Sequence, residues 1–165
     1  DIELKLIQED NMVYTKDELY QQEEENDLKQ ELLFPIFGEV IRSIYFNDNS
    51  DSLLFELENN SVHRYDVKNQ CSNMVWIYHI EGEEDVIGGE IFDFKIKQYW
   101  KKIEPPKKMD KNNWPDVLES LIFSIVTSKG YLDIEVRNQH NGYYGGNIKY
   151  MGEVKEISNK YNKIS

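Results

Sequence analysis

From Val40 to Val67 apolar and polar residues alternate with a period of two, the signature of strands buried on one face. VIRSIYF (40–46), LLFELE (53–58) and VHRYDV (62–67) are separated by Asn47-Asp48-Asn49-Ser50 and by Glu58-Asn59-Asn60-Ser61, both rich in turn formers. This spacing predicts a meander of three antiparallel strands. Met74 to Ile96, MVWIYHIEGEEDVIGGEIFDFKI, then sets two apolar runs around an acidic loop and a glycine pair. Met74–Ile80 is almost continuously apolar and reads as a central strand. Gly88-Gly89 turns the chain into the next strand, Glu90 to about Trp100, with Phe92, Phe94 and Ile96 expected on one inner face.

The same alternation returns near the end of the chain. VLESLIFSIVT (117–127) fits helix or strand, and its β-branched and aromatic content favours a strand from about Leu121. Lys129-Gly130 marks a hairpin turn, and YLDIEVRN (131–138) puts Leu132, Ile134 and Val136 inside. Asn141-Gly142 is a further turn. NIKYMGEVKEI reads as a last strand and a short helix, and the tail NKYNKIS as frayed.

Before the meander the period changes. Ile2, Leu4 and Leu6 alternate with Glu3 and Lys5, which predicts a short strand. Thr15 followed by Glu18 has capping-box spacing, so a helix is predicted over residues 15–33, ended by Pro35. Its apolar stripe is thin: Leu19, Tyr20, Leu28 and Leu32. The wholly polar turn from Gln21 to Asp27 suits a surface helix, a partly ordered segment or an arm for a partner. Lys101–Asp116 carries three of the four prolines and five lysines, and predicts a long exposed loop within one domain. The expected fold is a single α+β domain over residues 1–165. It is mainly antiparallel sheet of about six to eight strands, with one or two peripheral helices.

Charge narrows the function classes. The net charge is −12. Residues 1–100 hold 23 acids and 8 bases, while 101–165 hold 8 acids and 11 bases. Such acidity argues against nucleic-acid binding, which needs a basic face. It suits plain solubility, a basic protein partner or imitation of nucleic acid. The single cysteine, Cys71, excludes an internal disulfide and fits a reducing compartment, so a cytoplasmic location is expected. No apolar run reaches the roughly 18–20 residues of a membrane helix. There is no signal peptide in the sequence, and a start at Asp1 without methionine leaves room for residues upstream.

Several short runs stand out together: Cys71 ahead of an apolar strand; Ile80, Gly82, Asp85, Ile87, Gly88, Gly89 and Ile91; Lys129-Gly130; and Asn141-Gly142-Tyr143-Tyr144. Over roughly Gly38 to Met151 the order resembles a family of small, uncharacterised β-rich domains encoded in bacteria and their phages. The resemblance implies the β-rich fold and a bacterial or phage origin, with no chemistry attached.

No catalytic or metal motif appears. His63, His79 and His140 lie in no HxxxH or HExxH pattern, and no second cysteine is at hand. His79 beside Glu81, Glu83, Glu84 and Asp85 could be drawn as a metal cluster, but a strand-end histidine beside solvated acids explains it more simply. Cys71 with a histidine could be a nucleophile pair, against the simpler reading of a structural cysteine. GYYGG (142–146) is no P-loop and reads as a hairpin turn with packed tyrosines, or as a ligand or partner contact.

Together these readings predict a non-enzymatic binding protein with no cofactor and no metal. Its most concrete form is an acidic immunity or inhibitor protein that occludes a basic toxin or effector. The expected contact residues are Glu23, Glu24, Glu25, Glu83, Glu84, Asp85, Tyr143 and Tyr144. One alternative is an anti-defence or ligand-sequestering protein, in which GYYGG, Arg137 and Lys149 hold a nucleotide-like signal. Another is a hydrolase, in which a histidine meets an acid within hydrogen-bond reach.

Overall fold

The structure, a computed structural model, describes residues 5–7, 13–69, 73–104, 117–140 and 146–165. Strands β1 (Lys5–Ile7) and β2 (Val13–Thr15) form a small antiparallel pair that leads into helix α1 (Lys16–Leu33). The Thr15 side chain accepts from the Glu18 backbone N–H, as the sequence predicts, and the polar middle turn is continuously helical. Only one face of α1 is apolar, and there Leu32 is fully buried. Pro35 ends the helix by starting a short 3-10 turn, Phe34–Ile36.

Nine further strands form two antiparallel sheets. They are β3 (Ile41–Asn47), β4 (Ser52–Leu57), β5 (Val62–Lys68), β6 (Met74–Glu81), β7 (Ile91–Lys102), β8 (Val117–Thr127), β9 (Gly130–His140), β10 (Asn147–Glu153) and β11 (Tyr161–Lys163). One sheet has the order β10-β5-β4-β3-β11 and the other β6-β9-β8-β7. The expected meander is present as β3, β4 and β5. The α+β architecture is as expected, with nine strands in the two sheets where six to eight were anticipated.

The inner faces of the sheets meet in one core. Leu53, Phe55, Tyr65 and Ile148 of the first sheet face Phe94, Phe123, Ile125 and Ile134 of the second. Phe94 stacks on Phe123 at 5.1 Å, and Phe55 meets Tyr65 edge-on at 5.6 Å. Burying each such ring contributes about 1.5–3 kcal/mol. Helix α1 covers the open side of the sandwich, touching β7 and β10, which are the edge strands there.

Four expectations are corrected. β6 is an edge strand: β8 and β9 occupy the centre of its sheet, because a hairpin joins them and each has a further partner. β6 and β7, adjacent in sequence, lie on opposite edges of that sheet. Phe92 does not share the inner face with Phe94. A bulge between Ile91 and Asp93 turns it outward, leaving it 52% exposed while Phe94 is buried. β8 begins at Val117 and β7 runs to Lys102, so Lys101 and Lys102 belong to a strand; residues 105–116 lie outside the described set. The chain end holds strand β11 paired with β3, where a short helix and a frayed tail were expected. Edge pairing supplied backbone partners that no local pattern announces.

Candidate interaction surface

The acidic loop after β6 has a fixed path. To reach β7 on the far edge it crosses the turn between β8 and β9. Gly82 (φ +90°) lies so close to that turn that an added Cβ would sit 2.2 Å from the Tyr131 carbonyl oxygen. Val86 is fully buried and pins the loop, and the Gly88 N–H donates to the Ile41 carbonyl at 2.7 Å. Glu84 and Asp85 face solvent. Glu83 is half-buried at a shallow groove shared with Phe46, Ile77, Tyr78, His79, Ile80 and Ile164.

The helix acids lie elsewhere. Glu23 and Glu24 are exposed, and Glu25 is half-buried and accepts from the Gln21 amide at 3.1 Å. The Tyr99 hydroxyl donates to Glu24 at 2.9 Å, and Lys29 pairs with Asp93 at 2.8 Å, so α1 runs alongside β7. Burial first, then the Glu24 contact, pushes the Tyr99 phenol far above its ordinary value. Burial also acts to raise Asp93, but Lys29 and the Phe94 N–H outweigh it and hold the carboxyl below the usual range. From Asp93 to Tyr99 the strand advances about 20 Å at ~3.3 Å per residue. The acidic loop meets β7 at its Ile91 end, and Glu24 sits near the other. The six predicted carboxylates therefore make two patches and not one face.

Tyr143 and Tyr144 lie outside the described residues. The positions that bound them, His140 and Gly146, are at the Glu24 end of the sheet. A Cβ on Gly146 would meet Trp100 at 2.9 Å and Asn138 at 3.0 Å. His140 bonds to Glu119 beside it.

The histidines are engaged in local contacts. His140 does meet an acid, as the hydrolase alternative requires. His79 lies 3.6 Å from Glu81, both exposed. His63 is buried, with Nδ1 2.7 Å from the Tyr150 hydroxyl and Nε2 2.9 Å from Ser61 Oγ. One proton arrangement satisfies this chain: Tyr150 donates to Nδ1, Nε2–H donates to Ser61, and Ser61 donates to Asn59. Burial lowers the His63 pKa, partly offset by Glu153 and Glu39. Among the described residues no three His, Cys, Asp or Glu side chains are grouped to hold a metal. Cys71 is outside them. Arg137, expected to hold a ligand in one alternative, binds Glu135 at 2.7 Å and lies 3.3 Å above the Tyr78 ring, so its charge is already engaged. Lys149 is exposed.

Among the exposed aromatic residues, which include Tyr20, Tyr78 and Tyr131, sequence reasoning missed three phenylalanines. Phe34 is 84% exposed, Phe37 58% and Phe92 52%. The signal available was Pro35: a helix broken there cannot bury every residue of a Phe-Pro-Ile-Phe run. For Phe92 no local signal marked the bulge.

No helix among the described residues is long and apolar enough to cross a membrane. Residues 30–150 match a family described as Domain of unknown function (DUF7448). No curated protein and no solved structure matches the chain. Glu83–Asp85 and the three exposed phenylalanines fall inside the matched span, whereas Glu23–Glu25 precede it.

Proposed function

We propose, for a chain that belongs to the DUF7448 family of domains of unknown function, that it is a non-enzymatic, cytoplasmic binding protein for a basic protein partner. Its most concrete form is an acidic immunity or inhibitor protein that occludes a basic toxin or effector of bacterial or phage origin. One observation carries the reading. Among the described residues the ion pairs of lysine and arginine are Lys29–Asp93, Arg64–Asp66, Lys97–Asp133 and Arg137–Glu135, and two histidine–carboxylate contacts are His79–Glu81 and His140–Glu119. None uses a carboxylate of α1, and none uses Glu83, Glu84 or Asp85. Asp17, Glu18, Glu23, Glu24, Asp27 and Glu31 all face solvent on α1.

The mechanism follows from the field such carboxylates set up. They attract a cationic surface over about a Debye length, roughly 8–10 Å at physiological salt. That speeds encounter more than it deepens affinity. On contact, arginines of the partner pair with the carboxylates in bidentate geometry and its active face is covered. The ligand-sequestering alternative has less support, because the Glu135 and Tyr78 contacts engage Arg137.

The test begins with capture of a partner from the native host and identification by mass spectrometry. Binding is then measured at low and high salt for Glu23→Lys/Glu24→Lys/Glu25→Lys and for Glu83→Lys/Glu84→Lys/Asp85→Lys. The reading expects at least one reversal to weaken binding about tenfold or more and to flatten its salt dependence. If neither variant changes affinity or salt slope, the acidic-partner reading is wrong.

A further inference from the structure

Phe34, Phe37 and Phe92 are exposed, and the backbone sets Phe37 and Phe92, from two distant parts of the sequence, on adjoining segments. The 3-10 turn after α1 points Ile36 into the core, and the residues on either side of it, Phe34 and Phe37, are left outside. The Gly38 N–H donates to the Ile91 carbonyl at 2.8 Å, so Phe37 and Phe92 each adjoin the same hydrogen bond. The bulge that lets Ile91 and Phe94 both face inward leaves Phe92 outside the core. The Lys29–Asp93 pair fixes the last turns of α1 beside them. A helix stop, a 3-10 turn and a bulge therefore leave three phenylalanines exposed on adjoining segments.

Their surroundings are acidic. Phe34 lines one depression with Asp27, Gln30, Glu31 and Pro35. Glu90 is exposed next to Ile91. Of the nearby cations, Lys29 is engaged by Asp93, while Lys95 on β7 and Lys129, in the turn that bonds to Glu90, are exposed. Large apolar side chains clustered on a surface and rimmed by charge mark an interaction site. Aromatic anchors of this kind supply much of the affinity in protein interfaces.

We infer that Phe34, Phe37 and Phe92 form the anchoring platform for an amphipathic cationic segment of a protein partner, one with apolar residues on one face and lysines or arginines flanking them. The apolar face covers the phenylalanines, and the flanking cations reach Asp27, Glu31 and Glu90. The inference rests on the proposed basic partner and names the surface and the chemistry that hold it. It also assigns roles to different residues. The helix and loop acids attract the partner, and the phenylalanines slow its release.

The test uses the full chain and two synthetic peptides of about 16 residues. One carries leucine and lysine in helical amphipathic order; the other has the same composition scrambled. Titrations are followed by calorimetry and by backbone amide NMR shifts. The ordered peptide is expected to bind at least tenfold more tightly than the scrambled one, with shifts centred on Phe34, Phe37 and Phe92. Phe34→Ser/Phe37→Ser is expected to remove that preference without lowering the melting temperature, since both side chains are exposed. Phe92→Ser is the second variant, on a different element, and is expected to act the same way. Equal binding of both peptides, weakened by Glu23→Gln/Glu24→Gln but not by the phenylalanine variants, would overturn the platform and keep the acidic-partner reading. Shifts confined to Glu83–Asp85 would do the same. Concentration-dependent dimerisation lost in Phe34→Ser/Phe37→Ser would make a second copy of the chain the occupant and overturn the inference.

Discussion

The Tyr65 hydroxyl donates a 2.5 Å hydrogen bond to the Leu32 carbonyl, joining the end of α1 to β5 of the five-stranded sheet. Leu32 belongs to the last turn of the helix, where carbonyls have no partner within the helix. Tyr65 is 3% exposed and carries its hydroxyl through the core to that group. The acids of α1 are thus carried on a helix docked by buried Leu32, partly buried Leu28 and Leu33, the Lys29–Asp93 salt bridge, the Tyr99–Glu24 bond and this bond.

Tyr65→Phe keeps the ring and removes the bond. It is expected to destabilise the fold by about 1–3 kcal/mol, because a carbonyl remains buried with its donor gone. Chemical denaturation checks this. Hydrogen exchange should rise first in α1, and an unchanged α1 would show that the helix is held in place by other contacts.

Gly82→Ala and Gly38→Ala separate backbone strain from steric overlap. Both glycines have positive φ, +90° and +80°. An alanine Cβ at 38 meets nothing within 4 Å, so the expected cost is about 1–2 kcal/mol. At 82 it would collide with the Tyr131 carbonyl, and the loop or the β8–β9 turn must shift. The cost there is expected to exceed that of the Gly38 change by about 1 kcal/mol or more. Equal melting temperatures for the two variants would contradict the tight crossing.

Phe94→Ala is expected to cost about 3–5 kcal/mol, since it empties a buried stack with Phe123. Phe92→Ala, two residues away and outside, is expected to change stability by no more than about 0.5 kcal/mol. Similar urea midpoints for the two variants would contradict the outward placement of Phe92.

The neutral form of His63 fits its buried site, so its folded pKa lies below the unfolded value of 6.5. The sign follows from linkage: the unfolded chain binds the proton first. Stability is fully present above pH 6.5, is lost as the pH falls from there towards the folded pKa, and levels off below it. His63→Gln should flatten this part of the stability curve from pH 7 to 5 relative to the native chain. An identical slope in both proteins would remove His63 as its source.

Much of the fold was legible in the sequence. Thr15 and Glu18 announced the helix start, and period-two alternation announced β3, β4, β5 and β9, because both signals depend on residues close in the chain. Most acids on α1 and in the loop were legible as exposed for the same reason, whereas Glu25 and Glu83 are half-buried. What the sequence could not convey was which edges meet. Met74–Ile80 is apolar enough for a central strand, yet its sheet places it outermost, with Val75 and Ile77 buried by the facing sheet. The acids of α1 and of the loop form one run of charge in composition and two separate patches in space, because the loop and Glu24 sit near opposite ends of β7. Local pattern fixes which face of an element is apolar. The pairing of distant strands, and a one-residue bulge at Phe92, depend on contacts between residues far apart in the chain, and only the tertiary structure decides them.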